Sequence, residues 1–177
     1  MNILREVEWD EYGPIVWKKR YKQCKKLLHN PGFVQRLDAR IIQFAAQAVG
    51  LKNYFLESEW ADYIEDFETI INHKFKLQRV SFDHVLFVGK TVVIFESDDR
   101  SHYDRQYCLQ NGWDFDDIQR RDKIKDLWAR KTDTLLIRLP EHHINENGTI
   151  GRIFTQDEKM KTIIPILKNI KNAENCT

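Results

Sequence analysis

The 177-residue chain predicts one mixed α/β domain of the α+β kind, a sheet flanked by helices. Three observations carry that expectation. Two runs of β-branched and aromatic residues, Arg79–Phe87 and Thr91–Phe95, flank Val88-Gly89-Lys90, and Gly89 can take the positive φ of a tight reversal. Stretches with apolar residues at helical spacing stand on both sides of this hairpin. A short apolar run, Thr134–Leu139, is stopped by Pro140 and reads as a buried strand.

In chain order, Met1–Gly13 is acidic and aromatic and reads as an arm or short turn. Pro14–His29 is predicted helical, with Trp17, Tyr21, Cys24 and Leu28 as an apolar stripe and Lys18, Lys19, Lys22, Lys25 and Lys26 around it. The lysines suit a solvated face or phosphate contact. Gly32–Val49 is expected as a second helix, burying Phe33, Leu37, Ile41, Phe44, Ala45 and Ala48 and ending at Gly50. Ser58 would cap a third, Glu59–His73, with Trp60, Tyr63, Ile64, Phe67, Ile70 and Ile71 inward and Glu59 favoured in the first turn by the helix dipole. Residues 1–50 would then be an N-terminal helical elaboration packed on a core of residues 51–177.

After the hairpin, Asp99–Asp117 has no clear period and contains Asn111-Gly112, so it is expected as a loop. Ile118–Lys131 follows as a helix with Ile124, Leu127 and Trp128 inward, while Gln119, Asp122, Lys123 and Asp126 share another face. Glu141–Gln156 reads as loop with a turn at Asn147-Gly148. Asp157–Lys171 closes the domain as a helix that Pro165 should kink or start later.

Lys+Arg 28 against Asp+Glu 27 leaves a net charge of +1, so overall charge does not decide for or against a polyanionic partner. Cys24, Cys108 and Cys176 lie far apart without CxxC spacing, which disfavours a disulfide framework and a thiolate zinc site. No apolar run approaches the roughly 18 residues of a membrane span, and the first residues lack the order of a signal peptide. An intracellular protein with no membrane partner is expected.

The hairpin also carries chemistry. With the turn at Gly89, Asp83 falls opposite Phe95 or Glu96, and Asp98 shares the Glu96 face because side chains alternate. Three carboxylates would converge, and such a cluster calls for a cation; oxygen ligands favour Mg²⁺, Mn²⁺ or Ca²⁺.

The order of these elements resembles the restriction-endonuclease-like, or PD-(D/E)xK, nucleases, in particular the branch related to the very-short-patch repair endonuclease and its phage and homing relatives. The residues carrying the resemblance are Glu59, Phe82-Asp83-His84, Ile94 through Tyr103 (IFESDDRSHY), Arg121-Asp122-Lys123-Ile124-Lys125 and Leu136-Ile137-Arg138-Leu139. They span Ser58 to Pro140. In this chain Asp98 stands where the superfamily usually has Lys, Asp99 replaces a usual Gly, and Ser101 a usual Gln.

The resemblance implies a restriction-endonuclease-like mixed sheet and a metal-dependent endonuclease that hydrolyses phosphodiester bonds. Asp83 and Glu96 would hold Mg²⁺ or Mn²⁺, Glu59 would hold the metal or its water, and Asp98 is a further site candidate. His102 would act as general base or donate to the phosphate or leaving group. Lys125 or Lys123 would replace the motif lysine from the following helix. The partner would be nucleic acid, DNA before RNA, with Lys18, Lys19, Lys22, Arg100, Arg105, Arg120 and Arg121 on phosphates. Tyr107, Trp113 and Phe115 would stack on bases or pack as a lid. A homodimer that cuts both strands and a non-catalytic nucleic-acid-binding or protein-interaction module are the open alternatives.

Overall fold

The structure is a computed structural model and describes residues 33–174; the predicted arm and helix before them, with Lys18, Lys19 and Lys22, lie outside the described residues. In order, helix α1 (Phe33–Ala48) is followed by strands β1 (Tyr54–Ile71), β2 (Lys74–Val88) and β3 (Thr91–Asp98). Then come helices α2 (Arg105–Gln110) and α3 (Phe115–Thr132), strand β4 (Leu135–Pro140), the small pair β5 (His142–Ile144) and β6 (Ile150–Ile153), and helix α4 (Gln156–Glu174). One four-stranded sheet runs β1-β2-β3-β4, antiparallel across the first two pairings and parallel between β3 and β4. It is a mixed sheet flanked by helices.

The predicted helix Glu59–His73 is instead most of β1. Trp60, Asp62, Ile64 and Asp66 are buried at alternate positions, a period of two that shares Trp60 and Ile64 with the helical stripe. Asn72 and His73 both take positive φ, 51° and 63°, the geometry of a two-residue turn between antiparallel strands. Partner β2 decides the matter, since it pairs from Tyr54↔Val88 to Ile71↔Lys74.

The central hairpin forms as predicted, with Gly89 at φ 50° between β2 and β3. The expected loop Asp99–Asp117 contains the short helix α2, and the expected loop Glu141–Gln156 contains the β5–β6 pair, turned at Gly148 with φ 77°. β4 is an edge strand that buries Ile137 and Leu139, as expected, while Leu135 is exposed. Helix α4 starts at Gln156 and runs through Pro165 without the expected later start.

Two apolar clusters lie on the two faces of the sheet. On one face Ile41, Ile42, Ala45 and Ala46 of α1 and the following Val49 meet Val93 and Phe95 of β3 and Ile163 and Leu167 of α4. The buried stripe of α1 is thus rotated from the predicted one, leaving Phe44 56 % exposed and Ala48 exposed. Asp38 and Lys159 form a buried ion pair at 2.7 Å between α1 and α4. On the other face Ile124, Trp128 and Ala129 of α3 cover Trp60, Phe82, Phe87 and Ile94. That packing brings α3 against the carboxyl end of β3. Among the described residues no helix is long and apolar enough to cross a membrane.

Candidate active site

Register alone lines up the charged residues. β2 and β3 pair His84 with Phe95, so one step further sets Asp83 beside Glu96. β1 and β2 pair Ser58 with His84 and Trp60 with Phe82, which sets Glu59 across from Asp83. β3 and β4 pair Glu96 with Arg138. One row, Glu59, Asp83, Glu96 and Arg138, therefore crosses all four strands.

The backbone is irregular at this row. Glu59 sits in mid-strand, not in a helical first turn, and holds φ at 58°, a conformation that is costly for a side chain with a Cβ. On β1 the residues facing α3 change from Phe55 to Trp60 and Ile64, and on β2 from Phe87 and Val85 to Phe82 and Val80. The alternation slips phase on both strands together, so pairing survives while the strands are re-aimed.

Glu96 is 1 % exposed, and Lys125 of α3 donates to its Oε2 at 2.6 Å. Its other oxygen, Oε1, is buried without a hydrogen-bond partner. Burial pushes the Glu96 carboxyl up to about 8, against the pull of Lys125 and with the added repulsion of Asp83. Asp83 accepts from the Ser97 backbone N–H at 2.8 Å through Oδ2. Behind it, the buried His84 lies 2.9 Å from Ser58 Oγ through Nδ1, tying β1 to β2.

His102 comes from the turn after β3, Arg100–His102, which Asp99 caps by accepting from the Ser101 N–H at 2.8 Å. Asp99 and Ser101 thus build this turn together. His102 Nδ1 lies 2.7 Å from Asp122 Oδ2 of α3, and Gln119 Nε2 donates to the His102 carbonyl at 2.6 Å. Burial would lower the imidazole pKa, but the Asp122 bond and charge outweigh it and hold it above its ordinary value. Burial likewise opposes ionisation of Asp122, and the His102 bond and charge keep that carboxyl below its usual range.

A half-open cavity of about 670 Å³ gathers Glu59, Asp83, Glu96, His102 and Lys125 on its walls, together with Trp113 and Arg121. Asp98 is not on its walls. Although it shares the Glu96 face, its Oδ1 accepts from Arg138 Nη1 at 2.7 Å, and burial raises its pKa against that cation. The expected convergence of Asp83, Glu96 and Asp98 is corrected accordingly, because Arg138 claims the third carboxylate. Among the described residues no group of three or more His, Cys, Asp or Glu is arranged to hold a metal.

Asp83 and Glu96, of which Glu96 keeps a buried oxygen without a hydrogen-bond partner, still fit Mg²⁺ or Mn²⁺, which commonly take one or two protein carboxylates and leave other positions to water and phosphate. Asp83 and Glu96 are the residues that would hold it.

The remaining predicted residues divide. Lys123 pairs with Glu68 at 2.7 Å, so of the two lysines only Lys125 reaches Glu96. Arg121 lines the cavity while pairing with Asp117 at 3.1 Å. Arg120 also pairs with Asp117, Arg105 pairs with Asp116, and Arg100 bonds Asp104 and lies over the Tyr107 ring. Trp113, 46 % exposed, meets Tyr107 edge-on at 5.8 Å, and Phe115 lies under Arg105.

Sequence reasoning missed the roles of Arg138, Asp122 and Ser97 in the site. For Arg138 there was a signal, one arginine in the otherwise apolar run TLLIRL, and for Asp122 its place beside Lys125 on one helix. Ser97 acts through its backbone and leaves no trace in the sequence. Comparison of the chain with family models, with curated proteins and with solved structures gives no match.

Proposed function

We propose that this protein is a metal-dependent endonuclease of the restriction-endonuclease-like type, hydrolysing phosphodiester bonds in nucleic acid, DNA foremost. The observation that carries the reading is the row Glu59, Asp83 and Glu96, joined by Lys125 on the wall of one open cavity. Acidic groups placed side by side on a strained backbone are costly to fold, and they serve a reaction that needs a cation.

Bound there, Mg²⁺ or Mn²⁺ would supply Lewis-acid polarisation of a phosphoryl oxygen and activate the attacking water. Asp83, aimed by the Ser97 N–H, and Glu96, aimed by Lys125, would hold it. Glu59 faces the same space from β1 and orients water. Lys125 Nζ is placed to stabilise negative charge that develops on phosphate. His102, anchored at Nδ1, leaves Nε2 to accept or return a proton. Arg121 and Trp113, which also line the cavity, would meet a phosphate and a base.

One observation favours a second reading, a non-catalytic binding module: Lys125 already occupies Glu96 Oε2 at 2.6 Å. Cleavage of plasmid, single-stranded DNA and RNA with Mg²⁺, Mn²⁺ or EDTA separates the two. Metal-dependent products, lost by at least about 10²-fold in Asp83→Ala and Glu96→Ala, are expected of the nuclease. Binding of nucleic acid without cleavage by the wild type would give the second reading, and a preference for RNA would move the substrate.

A further inference from the structure

We propose that Arg138 is a positioning residue: its guanidinium clamps Asp98 and Asp122, so that Asp122 anchors His102 through Nδ1 and leaves Nε2 facing the reaction. What His102 does rests on the nuclease reading; how it is held rests on geometry alone.

Arg138 projects from β4 beside Glu96. Its Nη1 donates to Asp98 Oδ1 at 2.7 Å, and Nε and Nη2 donate to Asp126 Oδ1 at 3.1 and 3.0 Å. Nη2 also lies 3.3 Å from Asp122 Oδ1 and 3.4 Å from the Asp122 carbonyl oxygen. The other Asp122 oxygen, Oδ2, meets His102 Nδ1 at 2.7 Å. Asp98 Oδ1 is 3.6 Å from that same nitrogen. Two carboxylates thus compete for one ring nitrogen, and Arg138 draws Asp98 aside.

The charged groups facing His102 are Asp98 from β3, Asp99 from its own turn and Asp122 from α3. Arg138 is the cation set between the first and the last of these, with Lys125 acting on Asp122 from its own helix. Without the guanidinium, Asp98 and Asp122 would both pull His102 toward the imidazolium, which has no free nitrogen to accept a proton. A lysine at this position would keep the charge but not the fork that spans Asp98, Asp122 and Asp126.

The test is the titration and ¹⁵N shift of the His102 ring in the wild type, Arg138→Met and Arg138→Lys, with the signal assigned by its loss in His102→Gln. The wild type is expected to carry its neutral proton on Nδ1. Arg138→Met should raise the His102 midpoint by about one pH unit or more, since a neighbouring charge shifts a pKa by that much. Arg138→Lys, which keeps the charge, should shift the midpoint less but mix the two tautomers. The acid limb of the cleavage–pH profile should move up with the midpoint. An unchanged midpoint and tautomer in a folded Arg138→Met, or in Arg138→Lys should the first variant not fold, overturns the proposal. The ring signals need no catalysis: shifts as expected with no cleavage by the wild type would sink the nuclease reading and leave the positioning role standing.

Discussion

Glu96 and Lys125 form a buried pair in which, above about pH 8 where the carboxyl is ionised, neither charge can be removed alone at low cost. Breaking a buried ion pair by deleting one partner typically costs about 3–5 kcal/mol, because the other charge stays buried without compensation. Above that pH, Lys125→Met is expected to lower unfolding stability by about that much, measured in urea, with Lys125→Met/Glu96→Gln recovering most of it. The pH dependence of the same group has a definite sign. The folded carboxyl is raised from its ordinary 4.5 to about 8, so the folded state holds a proton that the unfolded chain releases. Its contribution is full below about pH 4.5 and is lost as pH rises through about 8. Urea midpoints collected across that range should show a declining component that Glu96→Gln removes; an equal decline in the variant would assign it elsewhere. Mg²⁺, by favouring the ionised carboxylate, should flatten the decline in the wild type.

Among the elements, α1 and α4 depend on a contact that no local pattern announces. Asp38 and Lys159 are 121 residues apart and buried together, with Lys159 Nζ at 2.7 and 2.9 Å from the two carboxylate oxygens. Asp38→Ala should cost about 3–5 kcal/mol in chemical unfolding, while the paired change Asp38→Leu/Lys159→Met should be close to neutral. A small effect of Asp38→Ala alone would show that water reaches Lys159. The α1 terminus is the opposite case, set by local chemistry. Gly50 holds φ at 71° after the last turn, its N–H bonds Gln47 O at 2.9 Å, and Leu51 N–H bonds Ala46 O at 3.0 Å. A Cβ there would also lie 3.1 Å from Lys171 Nζ, which itself donates to Val49 O. Gly50→Ala is expected to destabilise the fold by about 1 kcal/mol, read as a fall in Tm. β1 teaches a third lesson. Trp60 and Ile64 fit a helix and a strand equally, and it was the Asn72-His73 turn and the pairing with β2 that selected the strand.

For the whole molecule, the reading of the cavity as a cation site carries its own thermodynamic consequence. A metal that binds only the folded state stabilises it by about 2.7 kcal/mol at a hundredfold excess over Kd. Mn²⁺ should therefore raise the Tm of the wild type and leave that of Asp83→Ala unchanged. A shift retained in Asp83→Ala would place the ion elsewhere. Much of this arrangement was legible in the sequence. The central hairpin with its Gly89 turn, helix α3, the Gly50 terminus and the adjacency of Asp83 and Glu96 follow from periods, turn residues and alternation, which act over a few residues. Long-range pairing decided the rest: that Glu59 belongs to a strand and faces Asp83, that Asp98 turns to Arg138, that Asp122 holds His102, and that Lys125 and not Lys123 reaches Glu96. Each of these is a choice between partners far apart in the chain, made by register and by which face of α3 packs on the sheet. Local propensity determines where strands and helices can form; only the cost of leaving a buried charge unpaired determines which charges meet.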